Sequence, residues 1–209
     1  MVSTRLHEIG FDDVTPNQWV LTTPVDAAGT VLDAYALKFE RKDLQDPGKL
    51  SVPIYHPGTP LDVNRVDGGL VVTERVGTLL EALASGDIRR FPARVVSMPG
   101  RYDFVNIVSW RDCIDRERTR VSVLVQGDAE PVKNGTLASL APLLEREAAG
   151  EPGIYSTLMA EWLRLDPDRI DGAQIFWVEG RAVWPVVTEE IKLALEAENV
   201  TGLSYTLVC

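Results

Sequence analysis

The sequence predicts an α+β protein, with a turn-rich, mainly β N-terminal portion over residues 1–72 and a mixed α/β core over residues 73–209. Three observations carry this. Turn signals crowd the start of the chain: Thr15-Pro16-Asn17, Thr23-Pro24, Asp46-Pro47-Gly48, His56-Pro57-Gly58, Thr59-Pro60 and Asp67-Gly68-Gly69. From Val76 the apolar residues switch to helical spacing. Residues 102–109 then place Tyr102, Phe104 and Val108 on one parity and Val105 and Ile107 on the other, a strand able to bury both faces.

Taken in order, short strands are expected at residues 19–22, 34–39 and 52–55, between the turn signals. Val76, Leu79, Leu80 and Leu83 mark an amphipathic helix, with Thr73 placed to cap its start and Gly86 to end it. Strands follow at 93–97, 102–109 and 121–126. A second helix starts near Ser139, tolerates Pro142 in its first turn and stops by Gly150. Residues 154–165 fit a helix or a strand. Residues 174–178 and 182–187 form a hairpin across Glu179-Gly180-Arg181. Thr188 then caps a helix that turns Ile191, Ala194 and Leu195 inward, with Glu189 and Glu190 in the first turn, where the helix dipole favours negative charge. Gly202 follows that helix, and residues 203–208 read as a last strand with Leu203, Tyr205 and Leu207 on its apolar face.

The 209 residues are 45% hydrophobic and 25% charged, which is ordinary for a globular chain able to bury a sizeable core. No apolar run reaches the roughly 18 residues of a membrane span, and the first residues lack the pattern of a secretory signal, so the expected location is the cytoplasm. Thirty-one acidic against 21 basic residues give a net charge of −10. That charge disfavours a nucleic-acid partner and steers a basic protein towards the chain. Two cysteines and two histidines, all scattered, make no metal-ligand spacing, and neither metal nor cofactor is expected.

The densest chemistry follows the strand at 102–109: Asp112, Cys113, Asp115, Arg116, Glu117 and Arg118. Two readings are open. The carboxylates and the thiol suit a hydrolase or transferase if a histidine approaches in space. Alternatively, Arg111, Arg116, Arg118 and Arg120 satisfy the carboxylates in an ionic turn, and Cys113 packs as a small buried residue. The interleaved arginines favour the second, so no catalytic residue is assigned. Phosphate-cradling glycine loops, a nucleophile elbow and a zinc helix are all missing from the sequence. Five tryptophans stand at 19, 110, 162, 177 and 184. Core packing is the ordinary fate of each. Trp177 and Trp184 nevertheless flank the hairpin turn with Glu179 and Arg181, and these four with the turn residue His56 are the candidate partner-binding residues.

The C-terminal part resembles the Imm11-like (DUF1629) group of predicted bacterial immunity proteins of polymorphic toxin systems. The resemblance rests on Thr73-Glu74-Arg75-Val76 with Leu79-Leu80-Glu81-Ala82-Leu83, and on Tyr102-Asp103-Phe104-Val105-Asn106-Ile107-Val108 leading to Asp112-Cys113-Ile114-Asp115. It continues through Leu165-Asp166-Pro167-Asp168-Arg169-Ile170, Gln174-Ile175-Phe176, Thr188-Glu189-Glu190-Ile191-Lys192 and Thr201-Gly202-Leu203. It spans residues 70–208 and leaves the turn-rich start outside. It implies a binding protein, not an enzyme, that neutralises a cognate toxin or effector made by the same cell. An accessory module for a partner that is not a toxin is the other binding alternative.

Overall fold

A computed structural model of the chain describes residues 5–10, 17–38, 40, 44–158 and 162–209, with the backbone alone at 38 and 181–183. The described strands are β1 (Leu6–Gly10), β2 (Val20–Leu21), β3 (Leu50–Val52), β4 (Ile54–His56), β5 (Val63–Val66), β6 (Gly69–Thr73), β7 (Ile88–Val95), β8 (Tyr102–Ile107), β9 (Trp110–Arg111), β10 (Arg120–Val125), β11 (Val132–Thr136), β12 (Ile154–Thr157), β13 (Ile175–Val178), β14 (Arg181–Thr188) and β15 (Ser204–Leu207). The helices are α1 (Ala34–Lys38), α2 (Glu74–Ala84), α3 (Ala141–Ala148) and α4 (Glu189–Ala197). Strands outweigh helices, in keeping with an α+β protein.

Two five-stranded sheets, ordered β15-β1-β14-β13-β9 and β3-β7-β8-β6-β5, hold α2 and α4 between them. Val76 and Leu80 of α2 and Ile191 and Leu195 of α4 meet Leu70, Val72, Val105 and Ile107 from one sheet and Ile9, Ile175, Trp177 and Val187 from the other. Each large apolar side chain so buried contributes about 1.5–3 kcal/mol. The second face of β8 is also buried: Phe104, with Val71 and Val95, packs beneath Trp19, Leu21 and Leu37 of the N-terminal segments. Asp87, after α2, ties the layers together, its carboxylate accepting the Gln174 backbone N–H at 2.7 Å and its carbonyl accepting that of Val108 at 2.8 Å. A smaller sheet, β11-β10-β12, packs Val121, Val123 and Ile154 against Leu140, Leu143 and Leu144 of α3 and its approach.

Strand pairing runs across position 72. β1 lies between β14 and β15, and β6 pairs with β8.

Several local expectations change. Residues 34–38 are helical rather than extended, because the Asp33 carboxylate accepts the Ala36 N–H at 2.9 Å and so starts a helical turn that buries Ala36 and Leu37; Phe39 lies outside the described residues. The strand expected at 52–55 is two strands separated by Pro53, which has no N–H for a ladder. Thr73 and Thr188 hold the N-cap positions of α2 and α4 without capping: their hydroxyls pair with Asp62 Oδ1 at 3.2 Å and with Gln174 Oε1 at 2.6 Å. Ser139 turns back to the Thr136 backbone, and α3 begins at Ala141 with Pro142 in its first turn. In β15, Leu203 and Tyr205 pack inward, but Leu207 is 52% exposed and Val208 takes the buried position.

A candidate partner-binding surface

The residues singled out in the sequence separate. Trp177 is 2% exposed, donates its ring N–H to the Ile107 carbonyl at 3.2 Å and stacks at a tilt on Trp110, 6.1 Å between centroids. It belongs to the core between the sheets, which removes it from the surface a partner can reach. Glu179 is half-buried at the β13–β14 turn, where Gly180 takes a positive φ and the Glu179 N–H donates to the Arg111 carbonyl at 2.9 Å. The Arg181 backbone pairs with Val178 across that turn, and its side chain lies outside the described residues.

Trp184 and His56 come to one side of the molecule through residues that sequence reasoning passed over. Arg65, on the edge strand β5, lays its guanidinium 4.1 Å from the centre of the Trp184 ring, a cation–π contact. The same arginine borders an open recess of about 360 Å³ with Val20, Asp67 and Tyr55. Tyr55 is 68% exposed, and its ring meets the exposed His56 edge-on at 4.4 Å. β2 and β4 hold these groups in place by pairing Val20 with His56. Burial pushes the Arg65 pKa down, and the nearby Asp67 opposes the shift. Arginine, tyrosine and tryptophan are the residue types that anchor protein interfaces, the aromatic pair because they cover a large area with two side-chain torsions to freeze, and Arg65 because the Trp184 ring already holds it. The sequence held a signal for this: Tyr55 and Arg65 flank the turns at 57–60, yet no periodicity brings either to Trp184.

The charged cluster at 112–118 has another character. Cys113 is 0% exposed among Leu6, Leu163, Leu165 and Val186, and its thiol is pushed up to about 12, first by burial, with Arg169 opposing. Asp112 pairs with Arg169 at 2.8 Å. The Asp115 carboxylate accepts the backbone N–H groups of Glu117 and Arg118 at 3.1 and 3.0 Å, and Arg118 Nε stands 3.8 Å away. Asp115 and Thr119 clasp the Arg164 backbone, so the cluster fixes the chain where it leaves β9 for the small sheet. The interleaved arginines are thus lesser partners than backbone amides and a distant arginine. His7, the less favoured histidine in the sequence, is buried and bonds Glu189 at the start of α4.

A family model for the Imm11 immunity proteins matches residues 12–208. The chain belongs to the Imm11 immunity protein family. The match runs through the turn-rich start, which the resemblance over residues 70–208 had left outside, so β2 to β6 are part of the Imm11 chain rather than an addition to it. No match is found among curated proteins. No helix among the described residues is long and apolar enough to cross a membrane, and no cluster of three or more metal-ligating side chains is found among them.

Proposed function

We propose that this Imm11 protein neutralises a cognate toxin or effector inside the producing cell by stoichiometric binding, without catalysis. The contact is made through the surface that carries Trp184, Arg65, Tyr55 and His56. The observation that supports the surface is the Arg65–Trp184 stack beside the exposed Tyr55: an arginine already half-desolvated and held by an aromatic ring loses little further freedom when a partner covers it. Glu179 and Arg181 at the hairpin tip are secondary candidates. The net charge of −10 speeds the approach of a basic toxin, and the aromatic and arginine anchors supply affinity after contact. The hydrolase or transferase reading loses its nucleophile to burial at Cys113.

The test is capture of bound proteins from the native cell by the tagged wild type and by a Tyr55→Ala/Trp184→Ala variant, followed by co-expression of the captured protein with each. The expected result is one captured partner, toxic when expressed alone, suppressed by the wild type and released about tenfold or more by the double variant. Capture and protection unchanged in the double variant remove this surface from the proposal. A captured partner with no toxicity removes the neutralising function.

A further inference from the structure

The small sheet β11-β10-β12 hides one face and bares the other. Val121, Val123 and Ile154 turn to α3, while the register sets Leu124 of β10 between Val132 of β11 and Tyr155 of β12 on the face away from that helix. Leu124, Val132 and Tyr155 are 37%, 54% and 54% exposed, an apolar row across the whole sheet. Its two edges differ. On β12 the outward Ser156 N–H donates to the Glu147 carboxylate of α3 at 2.7 Å, which closes that side. On β11 the Val125 N–H donates to the Pro131 carbonyl at 2.7 Å, and this fixes the phase of the ladder, so Val132, Asn134 and Thr136 turn their backbone groups outward. Thr136 is occupied: its N–H donates to Ser139 Oγ at 2.8 Å and its carbonyl accepts the Leu140 N–H at 3.0 Å. Val132 and Asn134 have no backbone partner on that side among the described residues. The charges along this edge run in one direction. Arg120, paired with Thr136, and Glu130, just before the strand, are both exposed and have no ion-pair partner among the described residues, whereas Lys133 holds Asp128 at 3.3 Å. Residues 120–136 carry Arg120 and Lys133 against Asp128 and Glu130, so this stretch is neutral and the net charge of −10 resides elsewhere.

We propose that β11 pairs antiparallel with β11 of a second copy of this chain, about a two-fold axis at Val132. Such a pair is self-complementary in its backbone, since Val132 exchanges both N–H and carbonyl with Val132 of the second copy. Side chains set the register. Centred at Lys133, the pair would face two like charges; centred at Asn134, it would need the Thr136 groups that Ser139 and Leu140 already occupy. Centred at Val132, it sets Lys133 opposite Pro131 and joins the two apolar rows into one across six strands. It also brings the Arg120 end of each copy to the Glu130 end of the other. Two strand spacings, about 10 Å, separate these groups, a span that an arginine and a glutamate side chain close between them. The match is one of position, not of total charge, and symmetry makes it twice. The edge is separate from the Arg65 surface, and the pairing stands whether or not the partner at that surface is a toxin.

Sedimentation velocity of the full chain from about 5 to about 500 µM tests it, in about 0.15 M salt so that charges more than about 8 Å apart are screened. The expected result is a reversible monomer–dimer equilibrium. Arg120→Glu and Glu130→Arg should each weaken it about tenfold or more with unchanged melting. An equimolar mixture of the two variants should associate as the wild type does, because each chain then meets its complement in the other. Leu124→Ser/Val132→Ser should weaken the dimer about tenfold or more, through loss of the apolar row. A chain that is monomeric throughout overturns the proposal, as does a dimer unchanged in Leu124→Ser/Val132→Ser or a mixture that fails to associate. A dimer strengthened by Glu130→Arg, which makes the chain less negative, overturns it in favour of total charge. A monomeric chain whose capture of a partner protein is lost in Leu124→Ser/Val132→Ser overturns it in favour of a strand supplied by that partner.

Discussion

Cys113 and Asp115 stand two positions apart and differ in what surrounds them, which decides how each responds to change. A thiol pushed up to about 12 holds almost no thiolate at neutral pH, so Cys113 in the native protein should resist a thiol reagent and react only on unfolding, as labelling with and without urea will show. Asp115→Ala should cost about 0.5–1.5 kcal/mol, because two exposed backbone N–H groups exchange the carboxylate for water; Asp115→Asn, which keeps an oxygen there, should cost less. Thermal melts of the two variants compare these directly. At the start of α4 the hydrogen bond from His7 holds the Glu189 carboxyl below its usual range. A carboxyl with a depressed folded pKa contributes stability that is complete above the unfolded value and is lost as pH falls through the folded one. Urea midpoints of the wild type should therefore fall as the pH drops below the ordinary glutamate value of about 4.5, and Glu189→Gln should lose less there. Residue types at 112–118 were legible in the sequence as an ionic turn with a buried thiol, since alternating charges beside a strand end leave few other outcomes. Their partners were not: Asp112 meets an arginine 57 positions away.

Among the elements, α2 shows how packing overrules propensity. A glycine inside a helix ordinarily costs about 1 kcal/mol relative to alanine, so Gly77→Ala should stabilise α2 taken alone. At Gly77 a Cβ would stand 2.5 Å from Asp103 Oδ2 and 3.0 Å from Arg90 Nε. Asp103 is buried beneath the helix, its pKa raised by that burial against the pull of Arg90, and it cannot swing into water without breaking the pair. The substitution should therefore destabilise, by about 1–3 kcal/mol in a urea titration. Elements with strong periodicity were readable without the fold: α2, β8, the β13–β14 hairpin and α4 all stand within a few residues of where their apolar spacing puts them. Short elements were not. Five residues at 34–38 carry too little pattern to separate a helical turn from a strand, and the Asp33 carboxylate decided the matter. The threonine caps failed for a related reason, since a hydroxyl takes whichever partner tertiary packing brings nearest.

For the whole molecule, charge and connectivity lead to separate expectations. With −10 spread over the chain, association with a basic toxin should slow as salt rises through the physiological range while dissociation changes little, because screening acts on approach and not on a closed contact. Stopped-flow or surface-binding kinetics at two salt concentrations measure both rates, and an association rate indifferent to salt would favour an apolar contact surface. Connectivity governs stability. The strand nearest the N-terminus, β1, sits between β14 and β15 near the C-terminus, so β15 reaches its sheet only through β1. The tail is fastened again where the Val208 N–H donates to the Leu6 carbonyl at 2.9 Å and the Leu165 N–H to the Val208 carbonyl at 2.8 Å. Cutting the chain after Val200 removes β15 and the buried Val208, uncovers one side of β1 and exposes the core that Leu203 and Tyr205 flank. Losing several buried side chains at about 1.5–3 kcal/mol each rivals a net stability of about 5–15 kcal/mol. The truncated chain should be insoluble or molten, with far-UV circular dichroism retained, near-UV signal lost and no partner captured. Leu207→Ser, on the exposed side of the same strand, should stay within about 0.5 kcal/mol of the wild type. A truncated chain that melts cooperatively near the full-length temperature would show that β1 completes its sheet without β15.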